Sequence, residues 1–253
     1  MKNRICLCVA CNYEDLPKEF VLSLFQMQYS FNKWRVEKGR DDEISLVLHG
    51  GYNLDEMRNS LIKMAITNEQ THVLFLDTDI KLPSDMIQTM IEDIEDNKDQ
   101  GVEAITGIYV RKQPPYVPHV YPVYNKKLRM FHIAVKFPMN KLFQVAGAGC
   151  GMLMVKIEVF KRNKYPWFKF KYDGIKEKTK NGYIPRGVGE DLYFFLKSSP
   201  LTLCDPRLQG VHYGKKGYDM NTFIGYNSIK VKNGEFMVTK KQMRDINRQF
   251  GKK

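Results

Sequence analysis

Apolar residues in the first 110 positions recur with two alternating periods. Residues 4–11 form a near-continuous apolar run, the pattern of a strand buried on both faces, and 16–29 follow helical spacing. The polar and charged stretch 31–43 predicts a loop. Ile44-Ser45-Leu46-Val47-Leu48 predicts a second strand ending at His49-Gly50-Gly51. Asn53 then stands as the cap of a helix with Leu54, Met57, Leu61, Met64 and Ala65 on one face and Glu56 at the capping-box position. A third strand, 72–76, runs into Asp77-Thr78-Asp79. Pro83 opens a third helix, apolar at Met86, Met90, Ile91 and Ile94, and 102–109 is a fourth strand. This β–α alternation predicts an α/β fold with a parallel sheet and helices on both faces.

The second half is patterned differently. Residues 117–124, 130–137, 142–145 and 152–155 predict shorter strands, broken by the small-residue run Ala146-Gly147-Ala148-Gly149-Cys150-Gly151. A helix is expected over 190–198, and Asn233-Gly234 between 229–232 and 235–238 is a strong hairpin signal. A basic helix over 239–250 follows. Neither a repeat nor a low-complexity linker divides the chain, so one domain over 1–253 is expected.

A hydrophobic fraction of 43% with 27% charged residues excludes disorder, collagen and coiled coil. The longest apolar run, 5–11, is far too short to cross a bilayer, and a soluble, intracellular (cytoplasmic) protein is expected. Five cysteines, an odd number, argue against a disulfide framework. Cys8 and Cys11 form one C-x-x-C without the second pair that zinc requires. They read either as a redox pair or, with Cys6 and Cys8 alternating along a strand, as buried inert thiols. The net charge of +12 is unevenly spread: residues 1–110 hold 11 Lys/Arg against 19 Asp/Glu, and 111–253 hold 29 against 9. So basic a half implies a polyanionic partner, nucleic acid or an anionic surface.

Two carboxylates, Asp77 and Asp79, close a buried strand at the edge where α/β sheets bind ligands. Nearby like charges favour an intervening cation, and hard divalent ions take oxygen ligands. Glu190-Asp191 follow Gly187-Val188-Gly189 and open a helix, a position that suits either a helix-dipole cap or a general base. Arg58 is read as a phosphate partner or as a helix-surface ion pair. His212, after a strand-like 208–211, is either a ligand or a hydrogen-bonding structural residue.

With Cys11-Asn12, Arg58-Asn59, Asp77-Thr78-Asp79, Gly189-Glu190-Asp191 and Val211-His212-Tyr213-Gly214 in this order, the chain resembles the GT-A glycosyltransferases, closest to the family 2-like inverting enzymes. The resemblance spans residues 5 to about 214. It implies a Rossmann-like, mixed and mainly parallel sheet. Residues 1–110 would be a nucleotide-sugar-binding half and 111–225 an acceptor-side half, with a hairpin and basic helix in 226–253. It implies that Asp79 binds Mn2+ or Mg2+, that Asp77 touches the ribose or the metal through water, and that His212 adds a metal or diphosphate contact. Cys11, Asn12, Arg58, Asn59, Asp77, Thr78, Gly149 and Gly151 would line the nucleotide-sugar site. Asp191 would be the base, with Glu190 as runner-up. Such enzymes usually carry an acid after the second strand to pair with uracil; here that position reads His49-Gly50-Gly51, so a UDP-sugar donor rests on the resemblance alone.

Lysines interleaved with aromatics at 165–172, together with Lys240, Lys241, Arg244 and Arg248, favour a nucleic-acid acceptor, for example a hydroxymethylated base in phage-like DNA. An extruded base would be needed. The alternatives are a transferase acting on surface polysaccharide, glycolipid or glycoprotein, a nucleotidyltransferase, and a non-catalytic nucleic-acid-binding module.

Overall fold

Alternation along the buried strands decides which layer each side chain joins. In β1 (Arg4–Cys11), Ile5, Leu7 and Val9 face one core layer, while Cys6 and Cys8 face the other. In β3 (His72–Asp77), Leu74 and Leu76 join the first layer and Val73 and Phe75 the second. The period of two is the strand's own geometry. A computed structural model describes residues 2–11, 16–51, 53–127, 130–179 and 182–250, with side chains outside 172–186. Asn12 lies outside the described residues.

The elements of the first half are β1, α1 (Lys18–Glu37), β2 (Glu43–Gly50), α2 (Leu54–Thr67), β3, β4 (Ile80–Lys81), α3 (Met86–Asp96) and β5 (Ala104–Ile108). Next come β6 (Val120–Tyr121), β7 (Val123–Asn125), β8 (Met130–His132), β9 (Phe143–Val145), β10 (Gly147–Ala148), β11 (Met152–Lys156), α4 (Ile157–Lys161), β12 (Lys171–Thr179) and β13 (Gly182–Val188). The chain continues through α5 (Glu190–Ser198), β14 (Thr202–Gln209), β15 (Val211–Tyr213), β16 (Gly217–Tyr218), α6 (Met220–Tyr226), β17 (Lys230–Lys232), β18 (Glu235–Met237) and α7 (Lys240–Phe250).

Seven strands form the central sheet in the order β2-β1-β3-β11-β5-β14-β9. β1 runs parallel to β2 and β3, and β5 parallel to β14, while β11 is antiparallel to both β3 and β5. β9 is antiparallel to β14. The sheet is therefore mixed and mainly parallel: the second half inserts β11 between β3 and β5, which strict β–α alternation does not predict. Met27 and Phe31 of α1 and Met86, Met90 and Ile91 of α3 fill one layer. Leu61, Ile62 and Ala65 of α2, Phe160 of α4 and Phe194 of α5 fill the other.

Several predicted boundaries move. The stretch 31–43 is helical as far as Glu37, because Phe31 is buried and the Trp34 indole donates to Glu92 at 2.8 Å, leaving the charged residues on the outer face. Asn53 precedes α2 without a side-chain cap bond; a capping box forms instead at α6, between Asp219 and Thr222. The hairpin around Asn233-Gly234 forms with both residues at positive φ, as its sequence requires. Cys6 and Cys8 are buried free thiols in the sheet, as the inert reading expects. No helix among the described residues is long and apolar enough to cross a membrane.

The Lys–aromatic stretch 165–172 is not a stacking surface at its centre. Trp167 is 7% exposed and Phe168 fully buried, and Phe168 packs between Phe75 and Phe194 at centroid distances of 5.3 and 5.0 Å. Asn59, expected at the nucleotide, instead clamps this segment. Its Oδ1 accepts from the backbone N–H of Trp167 (2.9 Å) and of Phe168 (3.1 Å), and its Nδ2 donates to the Phe168 carbonyl (2.8 Å). Asn59→Ala strands three buried backbone groups and is expected to cost about 2–5 kcal/mol, measured by urea unfolding. A cost below about 0.5 kcal/mol would show that the clamp is dispensable.

Candidate functional site

The parallel strands point their C-terminal ends at one edge. Cys11 ends β1, in register with Gly50; Asp77 ends β3; Tyr109 follows β5; and β14 leads into β15 with His212. Ligand crevices of open α/β sheets form at this edge. A cleft of about 1310 Å³ opens at the opposite end, lined by Arg4, Arg40, Asp42, His72 and Glu95 among others, and holds none of the residues singled out from sequence.

Arg58 joins the two acidic motifs. It projects from α2 and is 3% exposed; its guanidinium donates through Nη2 to Asp77 Oδ1 at 2.9 Å and through Nη1 to Glu190 Oε1. Burial works against its charge, but the acidic groups around it outweigh that, and it stays protonated. The planar fork suits this arrangement, one nitrogen for each carboxylate. Arg58 is thus a buried bridge, neither a surface ion pair nor an open phosphate contact. Glu190 is 6% exposed and committed to it.

Asp191 lies beside this bridge with a different environment. Its Oδ1 accepts from the Leu192 backbone N–H at 2.7 Å at the start of α5. Burial, and then the negative charge of Glu190, push its carboxyl up to about 7, against the pull of Arg58. Two adjacent carboxylates with opposite assignments result, one structural and one able to exchange a proton near neutrality.

Gly151 lets this edge close up. A Cβ there would lie 2.8 Å from Asp77 Oδ2 and strike Ile80 and Tyr109. The Gly151 N–H donates to the Tyr109 hydroxyl at 3.1 Å, and a Cβ at Gly149 would strike that hydroxyl. Both glycines therefore form the tight backing behind Asp77. Thr78 is buried between the two acids.

Asp79 meets side chains from two other segments, His212 and Lys112. β4 carries its neighbour Ile80 into register with His212 of β15, and His212 Nε2 stands 3.3 Å from Asp79 Oδ2. His212 Nδ1 donates to the Val110 carbonyl at 2.8 Å, and Nε2 is turned to the Asp79 carboxylate. Lys112 Nζ also donates to Asp79 Oδ2. Burial pushes the Asp79 carboxyl up, but the bonds from His212 and Lys112 outweigh it and hold it at about 2. Asp79 is thus an ionised carboxylate held between an ammonium and an imidazole.

Among the described residues no three His, Cys, Asp or Glu side chains converge into a closed metal cage. A carboxylate and an imidazole nitrogen on one seat nevertheless suit a Mn2+ or Mg2+ ion that takes its remaining ligands from phosphate and water. Asp79 and His212 would hold it, whereas Asp77 is already bonded to Arg58. Tyr109, Lys112 and His119 were missed from sequence. Tyr109 stacks on His119 at 4.9 Å and meets His212 edge-on at 5.4 Å. The signal available for Lys112 was a basic pair, Arg111-Lys112, directly after a buried strand.

The raised carboxyl of Asp191 has a signed consequence. Its folded value of about 7 exceeds the ordinary 3.8, so its contribution to stability is complete below about 3.8 and is lost as pH rises through about 7. Asp191→Asn is therefore expected to melt higher than wild type at pH 8, with the gap closing as pH falls towards 4, in thermal scans across pH. A gap independent of pH would contradict the assignment.

No family model matches the chain, and no curated protein matches it. Among solved structures, the crystal structure of A197 from STIV is similar, with a TM-score of 0.47 and 18% sequence identity, covering 84% of this chain and 86% of that one.

Proposed function

We propose that the chain is an inverting glycosyltransferase of the GT-A kind, moving a sugar from a nucleoside-diphosphate sugar to an acceptor hydroxyl. The observation that carries this reading is the Arg58 bridge, which ties the acid-bearing end of β3 to the acid-bearing start of α5. The mixed, mainly parallel sheet with helices on both faces supports it as well.

Asp191 acts as the base. It takes the proton of the acceptor hydroxyl while that oxygen bonds to the anomeric carbon, and the bond from that carbon to the diphosphate oxygen breaks on the opposite face. The electron pair leaves with the nucleoside diphosphate. A bound Mn2+ or Mg2+ ion would supply neutralisation of that departing charge. Lys112, already at the Asp79 carboxylate, adds a tethered positive charge on the same side. Arg58 fixes the carboxylate of Asp77 at the strand end, and Glu190 serves that bridge rather than the proton transfer.

The test is turnover of a UDP-sugar with Mn2+, counting released UDP. Asp191→Asn is expected to lower kcat by about 100-fold or more with little change in KM. Wild-type kcat should fall about tenfold per pH unit below about 7 and level off above it, because the base must be deprotonated. Full turnover by Asp191→Asn, or release of pyrophosphate in place of a nucleoside diphosphate, would overturn the reading.

A further inference from the structure

A row of tyrosines leads away from the Asp79 seat. Tyr218 of β16 pairs in register with His212. Its ring stacks on Tyr116 at 5.4 Å with an interplanar angle of 20°, and Tyr116 meets Tyr226 at 5.2 Å, edge to face. The three come from separate segments: the loop after β5, the β15–β16 hairpin and the end of α6. Tyr116 is held at φ +54°, an unfavourable conformation for an aromatic residue. Asn227 steadies that turn by donating to the Pro115 carbonyl at 2.9 Å. The inner end of the row touches the candidate site, since a Cβ on Gly214 would lie 3.2 Å from Lys112 Cδ and 3.5 Å from the Tyr218 ring.

The outer end opens into a groove. Tyr226 is 49% exposed and lines a depression of about 390 Å³ with Lys241, Gln242, Asp245, Ile246 and Gln249 of α7. Helical spacing sets Lys241, Arg244 and Arg248 on one exposed stripe of α7, while Ile246 turns into the core. Among the described residues, none of these three cations is engaged in an ion pair. Lys216 lies 5.6 Å over the Tyr218 ring and adds charge along the row. An exposed ring beside an excess of cations, Lys241, Arg244 and Arg248 against Asp245, is what single-stranded nucleic acid takes: the ring accepts a base of any sequence and the cations accept the phosphates.

We propose that Tyr226, seated on the Tyr116–Tyr218 stack, forms with the basic stripe of α7 a track for single-stranded or extruded nucleotides of a nucleic-acid acceptor, leading towards Asp79. The inference rests on the glycosyltransferase reading for what the track delivers, but the binding site itself stands on the rings and the charge. It relocates the aromatic surface from 165–172, where the central rings are core, to the exposed Tyr226, which the partly buried Tyr116 and Tyr218 support from behind. Neutral oligosaccharides offer nothing to the stripe of α7, and a lipid surface offers nothing to a row of stacked rings.

The experiment is fluorescence anisotropy of a labelled single-stranded DNA of about 20 nucleotides with the full chain, titrated with salt. Wild type is expected to bind at about 50 mM salt and to weaken steeply as salt rises. Tyr226→Ala should weaken binding about 5- to 150-fold without changing the salt slope, and Tyr226→Phe should restore it. Lys241→Gln with Arg244→Gln should instead flatten the log–log slope by about 1.4. Three results would overturn the proposal: no binding by wild type at low salt, Tyr226→Ala binding as wild type does, or full displacement of the DNA by a neutral oligosaccharide or by phosphatidylserine vesicles. If wild type turns over a UDP-sugar yet binds no DNA, the track falls and the glycosyltransferase reading stands. If the Tyr226 dependence holds while Asp191→Asn keeps full turnover, the reading falls and the nucleic-acid site stands.

Discussion

A single buried guanidinium sets the geometry of this molecule's sheet edge. Arg58 has left water almost entirely, and a charge in that position persists only where opposite charges and hydrogen bonds surround it. Asp77 and Glu190 supply both, from opposite halves of the chain. Removing one partner from such a buried arrangement typically costs about 3–5 kcal/mol, so the bridge holds its elements in register rather than merely decorating them. Through it, α2 fixes the end of β3 and the start of α5 together, and the backbone of Gly151 closes against Asp77 from behind.

The consequence is a division of labour among four carboxylates. Asp77 and Glu190 are structural anions, each answered by one arm of Arg58. Asp79 is kept ionised by its contacts with His212 and Lys112. Asp191, pressed by burial and by Glu190, holds its proton to about pH 7. The environments differ because the partners differ, and that difference assigns the roles. At the opposite end of the strands, Arg40 is paired with both Asp42 and Glu95.

Much of the fold was written in local pattern. The limits of β1 and α5 match the periodic runs that predict them, and the Asn233-Gly234 hairpin follows from two residues that tolerate positive φ. What local pattern lacks is partners. The charged stretch after Phe31 reads as a loop because its helix is stabilised by burial of Phe31 and by the Trp34–Glu92 bond, both long-range. The insertion of β11 between β3 and β5 is likewise a pairing, invisible in either strand alone. At the site, Asp77, Asp79, Glu190, Asp191 and His212 were legible as types, but their roles were not. Only the position of Arg58 separates Glu190 from Asp191, and only the bonds of Asn59 to the 167–168 backbone remove it from the nucleotide. The tyrosine row escaped for the same reason: its three members lie in three segments, and no spacing links them.

The central claim is that a diphosphate group and a proton-accepting carboxylate share one sheet edge organised by Arg58. A crystal structure of the chain with UDP and Mn2+ tests it most directly. The account predicts diphosphate density against Asp79, His212 and Lys112, with the Asp191 carboxylate facing the space where the sugar would sit and the Arg58 bridge intact. Nucleotide density in the cleft at the opposite end of the strands, or a bound diphosphate that displaces Arg58 from Asp77 and Glu190, would contradict it.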